Sequence, residues 1–200
     1  VKPLATALPD RRVWLRVASP NWVNPLDPAW AGTQGGRWNP PNAFPTLYLN
    51  ANVQTAQLQI ERLSEGMPFS TEDLSDDAYT LVLLRLPTSQ RAADAVSVQG
   101  LAALGLPSSY PLGIDGKVID RGVCQPIGKH VRELRLNGVW CRSAASADGR
   151  GRELAWFPGT RAARPLRKLP IPFGHWRYAS SWRGIGLPEQ PNPAGSRAQS

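Results

Sequence analysis

The sequence predicts an α+β domain, and three observations predict it. Segments with strand-type alternation and segments with helix-type spacing both occur, without the regular alternation of a doubly wound sheet. Hydrophobic residues make up 42% and charged residues 19% of the 200 residues, the balance of a chain that can build its own core. Twenty prolines and eighteen glycines divide it into short elements joined by loops. The expected architecture is a compact mixed sheet with flanking helices.

Residues 12–17 (R-V-W-L-R-V) alternate and read as a strand. Residues 19–42, rich in Pro, Gly, Asn and Trp, read as a long structured loop, and loops of that length inside a compact domain are often functional. Trp14, Trp22, Trp30 and Trp38 fall eight apart, but the residues between them do not repeat, so no repeat architecture follows. Residues 46–50 (T-L-Y-L-N) form a short strand. Asn52 then caps a helix in which Val53, Ala56, Ile60 and Leu63 recur at helical spacing, ended by Gly66 and Pro68. The acids Glu72, Asp73, Asp76 and Asp77 read as a solvated stretch.

Residues 79–86 (Y-T-L-V-L-L-R-L) are the most apolar run and are expected to lie centrally in the sheet. A short helix follows at 98–104. Val118, Val123, Ile127, Val131 and Leu134 outline a longer one, with Pro126 in its first turn or at a kink. Two more strands are expected at 138–143 (G-V-W-C-R-S) and 153–157 (E-L-A-W-F). The domain is therefore expected over 1–159. A basic Pro/Gly/Arg-rich tail follows at 160–200, with Phe173, Trp176, Tyr178 and Trp182 as candidates to fold back on it, since clustered aromatics seldom stand free in water.

The net charge of +8 suggests nucleic acid, but its distribution argues otherwise. The tail holds seven basic residues and a single acid, Glu189, so the body of the chain is nearly neutral. No run approaches the roughly 18 apolar residues of a membrane span. Pro3 and Pro9 break the first residues, which do not read as a signal peptide. Cys124 and Cys141, the only cysteines, fit buried positions in a reducing cytoplasm. His130 and His175 show no paired spacing, so no metal site is expected.

Chemistry concentrates in Gly35-Gly36-Arg37-Trp38-Asn39-Pro40-Pro41 and the following Leu47-Tyr48-Leu49. Two glycines permit a tight backbone and close approach of a ligand. The stiff loop presents Arg37, whose planar fork suits a phosphate or carboxylate. An arginine that merely pins the loop to an acid is an equal alternative. Tyr48 on a strand reads as core or as a ring platform. Glu61 reads as a surface helix residue, and Ser143 as the end of an apolar strand.

Taken together, G-G-R-W-N-P-P, then L-Y-L, then a helix containing Thr55-Ala56, and G-V-W-C-R-S-A late in the chain resemble the RES domain. The resemblance runs from about residue 12 to 157. It implies a fold like that of ADP-ribosyltransferases, with NAD⁺ as substrate in a cleft and no metal. It also implies the toxin of a bacterial toxin–antitoxin pair, neutralised by a helix-turn-helix antitoxin, with nucleic acid met only through that partner. NAD⁺ would be lost by hydrolysis or phosphorolysis, or spent on ADP-ribosylating a protein. Residues 160–200 are expected to be dispensable for NAD⁺ chemistry, although the tail's aromatics argue partly against it.

The family's arginine, tyrosine and serine correspond to Arg37, Tyr48 and Ser143, with Arg37 on the pyrophosphate, Tyr48 near nicotinamide and Ser143 on the ribose. The family glutamate departs. By spacing from Thr55 and Ala56 its position is Gln59, and Glu61 offers the right chemistry two residues later. At about 100° per residue these two point some 200° apart on a helix. Gln59 is expected to face the cleft, and a glutamate placed there is expected to speed cleavage about tenfold to a thousandfold. The rivals are a degenerate RES domain that binds NAD⁺ or a partner without turnover, and a nucleic-acid binder using the tail.

Overall fold

The computed structural model describes residues 2–146 and 148–180. Trp182, Arg183, Glu189 and Arg197 of the tail lie outside the described residues. In chain order the strands are β1 (Ala5–Ala7), β2 (Trp14–Ala18), β3 (Leu47–Asn50), β4 (Thr80–Arg85), β5 (Arg91–Ala95), β6 (Gly138–Arg142), β7 (Arg152–Trp156), β8 (Arg164–Pro165) and β9 (Ile171–Pro172). The helices are α1 (Ala29–Gln34), α2 (Val53–Ser64), α3 (Val98–Ala103), α4 (Arg121–Glu133) and α5 (Phe173–Trp176).

One mixed sheet runs β1-β5-β6-β7-β3-β2-β4-β8, with β9 also on β4. Every pairing is antiparallel except β5 with β6, whose connection carries α3 and α4. The architecture is thus the α+β mixed sheet with flanking helices that the pattern of segments suggested. Trp38, Tyr110, Leu101, Cys124, Val131 and Val139 make a core under α3 and α4. Val53, Ala56 and Ile60 of α2 pack on Leu15, Val17, Leu81 and Leu83. Trp14, Leu47, Leu49, Leu84, Leu154 and Trp156 form a third cluster. Cys124 and Cys141 are buried free thiols, as expected.

Several expectations change. The apolar strand β4 is next to last in the sheet and not central. It is apolar because two clusters cover it, Leu81 and Leu83 facing one and Leu84 the other. Leu63 is exposed, and Thr55 joins Val53, Ala56 and Ile60 on the buried face of α2. Periodicity gives a helix's apolar stripe but not where its covering partner stops. Pro126 is the sixth residue of α4, beyond the first turn, and cannot bond the Gly122 carbonyl. The loop at 19–42 contains α1. Strands β1 (A-T-A) and β5 (R-A-A-D-A) were not foreseen, because Ala and Asp are poor strand formers and only tertiary pairing recruits them.

The described part of the tail packs on the domain. Phe173 and Trp176 are buried beside Leu81 and Leu83, whereas Tyr178 is exposed. Arg177 donates to the carbonyls of Leu74 and, at 3.3 Å, Glu72, and faces Asp76 at 3.7 Å. The acidic stretch and one tail arginine are therefore partners. Among the described residues no helix is long and apolar enough to cross a membrane.

Candidate active site

The loop between α1 and β3 is built around one arginine. Gly35 follows α1 at φ +73°, a left-handed position that glycine adopts without strain. At Gly36 a Cβ would stand 2.3 Å from the Tyr48 hydroxyl oxygen, so only glycine fits. That hydroxyl accepts from the Trp38 amide at 2.9 Å and donates to Asn39 Oδ1 at 2.7 Å. Asn39 Nδ2 donates in turn to the Ala31 carbonyl at 2.6 Å. Trp38 is pressed beneath α4, where a Cβ on Gly128 would lie 1.7 Å from the Trp38 carbonyl oxygen.

Arg37 sits between these fixed points. Its Nη1 donates to the Ile119 carbonyl at 2.7 Å, and Cys124 is also within its reach. Burial alone would lower its pKa, but the surrounding Tyr110, Cys124 and Cys141 leave it raised, and Arg37 stays charged. We expect Gly36→Ala to push the Tyr48 ring aside and break both bonds of its hydroxyl. The expected cost is about 1–3 kcal/mol of stability, read from the denaturant midpoint, together with weaker ligand binding. An unchanged midpoint would mean that the loop yields without loss.

The sheet opens beside this loop. Strands β2 and β3 pair only at Leu15↔Asn50, although β2 pairs β4 over five residues and β3 pairs β7 over four. Continuing that register would join Arg16 to Leu49 and Val17 to Tyr48. Those four residues instead line a cavity of about 310 Å³, together with Trp22, Trp30, Gly35, Gly36, Arg37, Asn50, Gln59, Arg121 and Glu153. The strands splay, and the cavity fills the split.

Arg16 is the first residue here that the sequence reading missed. It is 5% exposed, lies under the Trp22 ring at 5.4 Å, and leaves Nη1 buried without a partner among the described residues. Burial lowers its pKa to about 10, opposed by Asp27. Its only signal was a charge inside an otherwise apolar strand.

Glu153 is the second. Neighbouring strands place Leu15, Asn50, Glu153 and Cys141 in one row across the sheet. Glu153 is the only acid lining the cavity among the described residues. Ser143 Oγ donates to Glu153 Oε1, and the Ala145 amide donates to Ser143 Oγ at 3.1 Å. Burial raises the Glu153 pKa, with the Ser143 bond and the Arg37 charge opposing. Nothing in E-L-A-W-F distinguished this glutamate from a strand's ordinary polar start.

Among the residues expected from sequence, Arg37, Tyr48 and Gln59 come together around the cavity. Gln59 Oε1 accepts from Asn50 Nδ2 at 2.7 Å. Glu61 is exposed and lines a different groove with Arg62, Glu65 and Ala144, so it is not placed to act in the cavity. Ser143 is fully buried, bonded to Glu153, and is not among the residues that line the cavity. No cluster of three or more His, Cys, Asp or Glu that could hold a metal occurs among the described residues.

Comparison with known proteins gives three findings. Residues 13–181 match the RES domain family. The chain is 30% identical over 105 residues to the NAD(+) phosphorylase MbcT of Mycobacterium tuberculosis and of Mycobacterium bovis. The match covers 52% of this chain and 53% of that protein, so the chain spans about half the length of the curated relatives it matches. In three dimensions it is similar to a chain of the crystal structure of the M. tuberculosis MbcT–MbcA toxin–antitoxin complex. The TM-score is 0.66 and the sequence identity 21%, over 88% of each chain, which is a likeness of fold.

Proposed function

This chain belongs to the RES-domain family, and from that premise we propose that it cleaves the nicotinamide–ribose bond of NAD⁺ as the toxin of a toxin–antitoxin pair. The observation that supports this most is the cavity in the split sheet, whose wall holds Arg16, Arg37 and Arg121 and, among the described residues, one carboxylate. The arginines suit a pyrophosphate, since a guanidinium can bond two phosphate oxygens at once. The Tyr48 ring, held by its hydroxyl, gives a flat wall for the nicotinamide.

In the reaction the bonding pair leaves with nicotinamide, which departs neutral. Positive charge builds on the ribose, and an acceptor adds at the same carbon. No general acid is needed, because the leaving group carries its positive charge into the reaction. The name of the mycobacterial relatives favours phosphate over water as the acceptor. The proposed partner is an antitoxin protein of helix-turn-helix type, motivated by the solved toxin–antitoxin complex, and the proposed compartment is the cytoplasm. Gln59 at the family's acidic position motivates a second reading, a domain that binds NAD⁺ without turnover.

The test is nicotinamide release by the purified protein, with and without inorganic phosphate. We expect release that rises with phosphate and a phosphorylated ADP-ribose by mass spectrometry. Tight NAD⁺ binding with no nicotinamide released would favour the silent domain.

A further inference from the structure

We infer that Glu153, on β7, supplies the negative charge to NAD⁺ cleavage that the family places on the helix at Gln59; this rests on the NAD⁺-cleaving reading. Gln59 is neutral, and its carbonyl oxygen is already engaged by Asn50. Asn50 and Glu153 are directly opposed in the β3–β7 ladder, so the carboxylate stands beside the amide pair and faces the same space. The charge has moved from the helix to the neighbouring strand.

The carboxylate is held for this task. The Ala145 amide occupies one side of Ser143 Oγ, which directs the Ser143 proton to Glu153 Oε1. Oε2 has no hydrogen-bond partner among the described residues and is not sealed from the cavity. No cation lies within ion-pair distance of Glu153 among the described residues. A half-buried carboxylate without an ion-pair partner is costly to the fold, and such groups concentrate where chemistry needs them. Here it faces the carbon on which positive charge develops. It steadies that charge electrostatically as the nicotinamide–ribose bond breaks, and when water or phosphate adds to the ribose carbon the acceptor's O–H bond breaks and its proton passes to the carboxylate. Ser143 acts through it as a positioning residue.

The groups facing Glu153 are Cys141 from β6, Ser143 just beyond its end, Arg37 from the loop, Tyr110, and the neutral Asn50 and Gln59; Arg16 and Arg121 lie around the same cavity. Burial sets the acid limb of kcat above the ordinary carboxylate value of about 4.3. Activity is lost as pH falls through that raised value. Ser143→Ala removes a bond to the charged form, so the limb moves to higher pH, which a merely structural serine would not cause.

The experiment measures nicotinamide release and melting temperature for the wild type, Glu153→Gln, Ser143→Ala and Gln59→Glu. Glutamine at 153 keeps an acceptor for Ser143 and removes a costly charge, so Glu153→Gln is expected to melt no lower than the wild type. Its kcat is expected to fall about 100-fold to 1000-fold with little change in KM, the loss seen when one preorganised group is removed. Gln59→Glu, which adds a second carboxylate beside the first, is expected to change kcat by less than about tenfold, and this replaces the larger gain anticipated from sequence alone. Wild-type kcat in Glu153→Gln overturns the inference and leaves the NAD⁺ reading standing. So does a gain of about 100-fold in Gln59→Glu, which would show the charge to be missing from the site. If Glu153→Gln fails to fold, an acid limb in Ser143→Ala unmoved from the wild type overturns it. A wild type that releases no nicotinamide overturns both.

Discussion

Truncation after Gly159 is expected to yield a chain with no cooperative unfolding transition. The cut removes Ile171, Phe173 and Trp176, all buried against Leu81 and Leu83. Each such side chain contributes about 1.5–3 kcal/mol, and a domain holds only about 5–15 kcal/mol in all. It also removes β8 and β9, uncovering the hydrogen-bonding edge of β4, including the bond from the Leu166 amide to the Leu83 carbonyl at 2.8 Å. Gln57 Nε2 loses the carbonyls of Trp176, Arg177 and Ala179 together. The packing of residues 171–179 therefore leads us to expect that the dispensable part of the tail begins beyond them and not at residue 160. Circular dichroism against temperature checks this: a truncated chain with a sharp melt near that of the full chain would show the segment to be an accessory. A cut after Ser180 removes none of these contacts, and that shorter deletion is expected to be tolerated.

Arg37→Ala is expected to weaken NAD⁺ binding by about 2–3 kcal/mol, roughly 30-fold to 150-fold, because a charge-assisted contact is lost in a partly desolvated site. Arg37→Lys is expected to fail nearly as badly. The guanidinium spends Nη1 on the Ile119 carbonyl and still has donors for a ligand. A lysine ammonium cannot span both in a planar fork. Calorimetry with a non-cleavable NAD⁺ analogue separates affinity from turnover, and a melting curve alongside reports whether losing the Ile119 contact harms the fold. Unchanged affinity in a well-folded Arg37→Ala would return Arg37 to the role of a loop pin, the alternative its sequence context left open.

The local features of the site were legible because local chemistry encodes them. Gly36 must be glycine against Tyr48, Asn39 and Trp38 close on that ring's hydroxyl, and all lie within thirteen residues of one another. Asn52 announces the start of α2, and helical geometry alone separates Gln59 from Glu61. The fold class also followed, since period 2 and period 3.6 are properties of short segments. Relations across the sheet were not legible. Strand β5 is a strand because β1 and β6 flank it, and its own residues do not ask for it. The splay of β2 from β3 is a matter of register, and it admits Arg16 from a strand that reads as core. Glu153 is 94 residues beyond Gln59 in the chain, and the pairing of β3 with β7 sets it opposite Asn50, to which Gln59 is hydrogen-bonded. Ser143 matched the family motif yet stands behind a carboxylate that no motif named. Burial and cross-strand pairing depend on residues far apart in the chain. A motif can therefore mark where an arginine loop folds, while the packed sheet alone decides which acid shares its cavity.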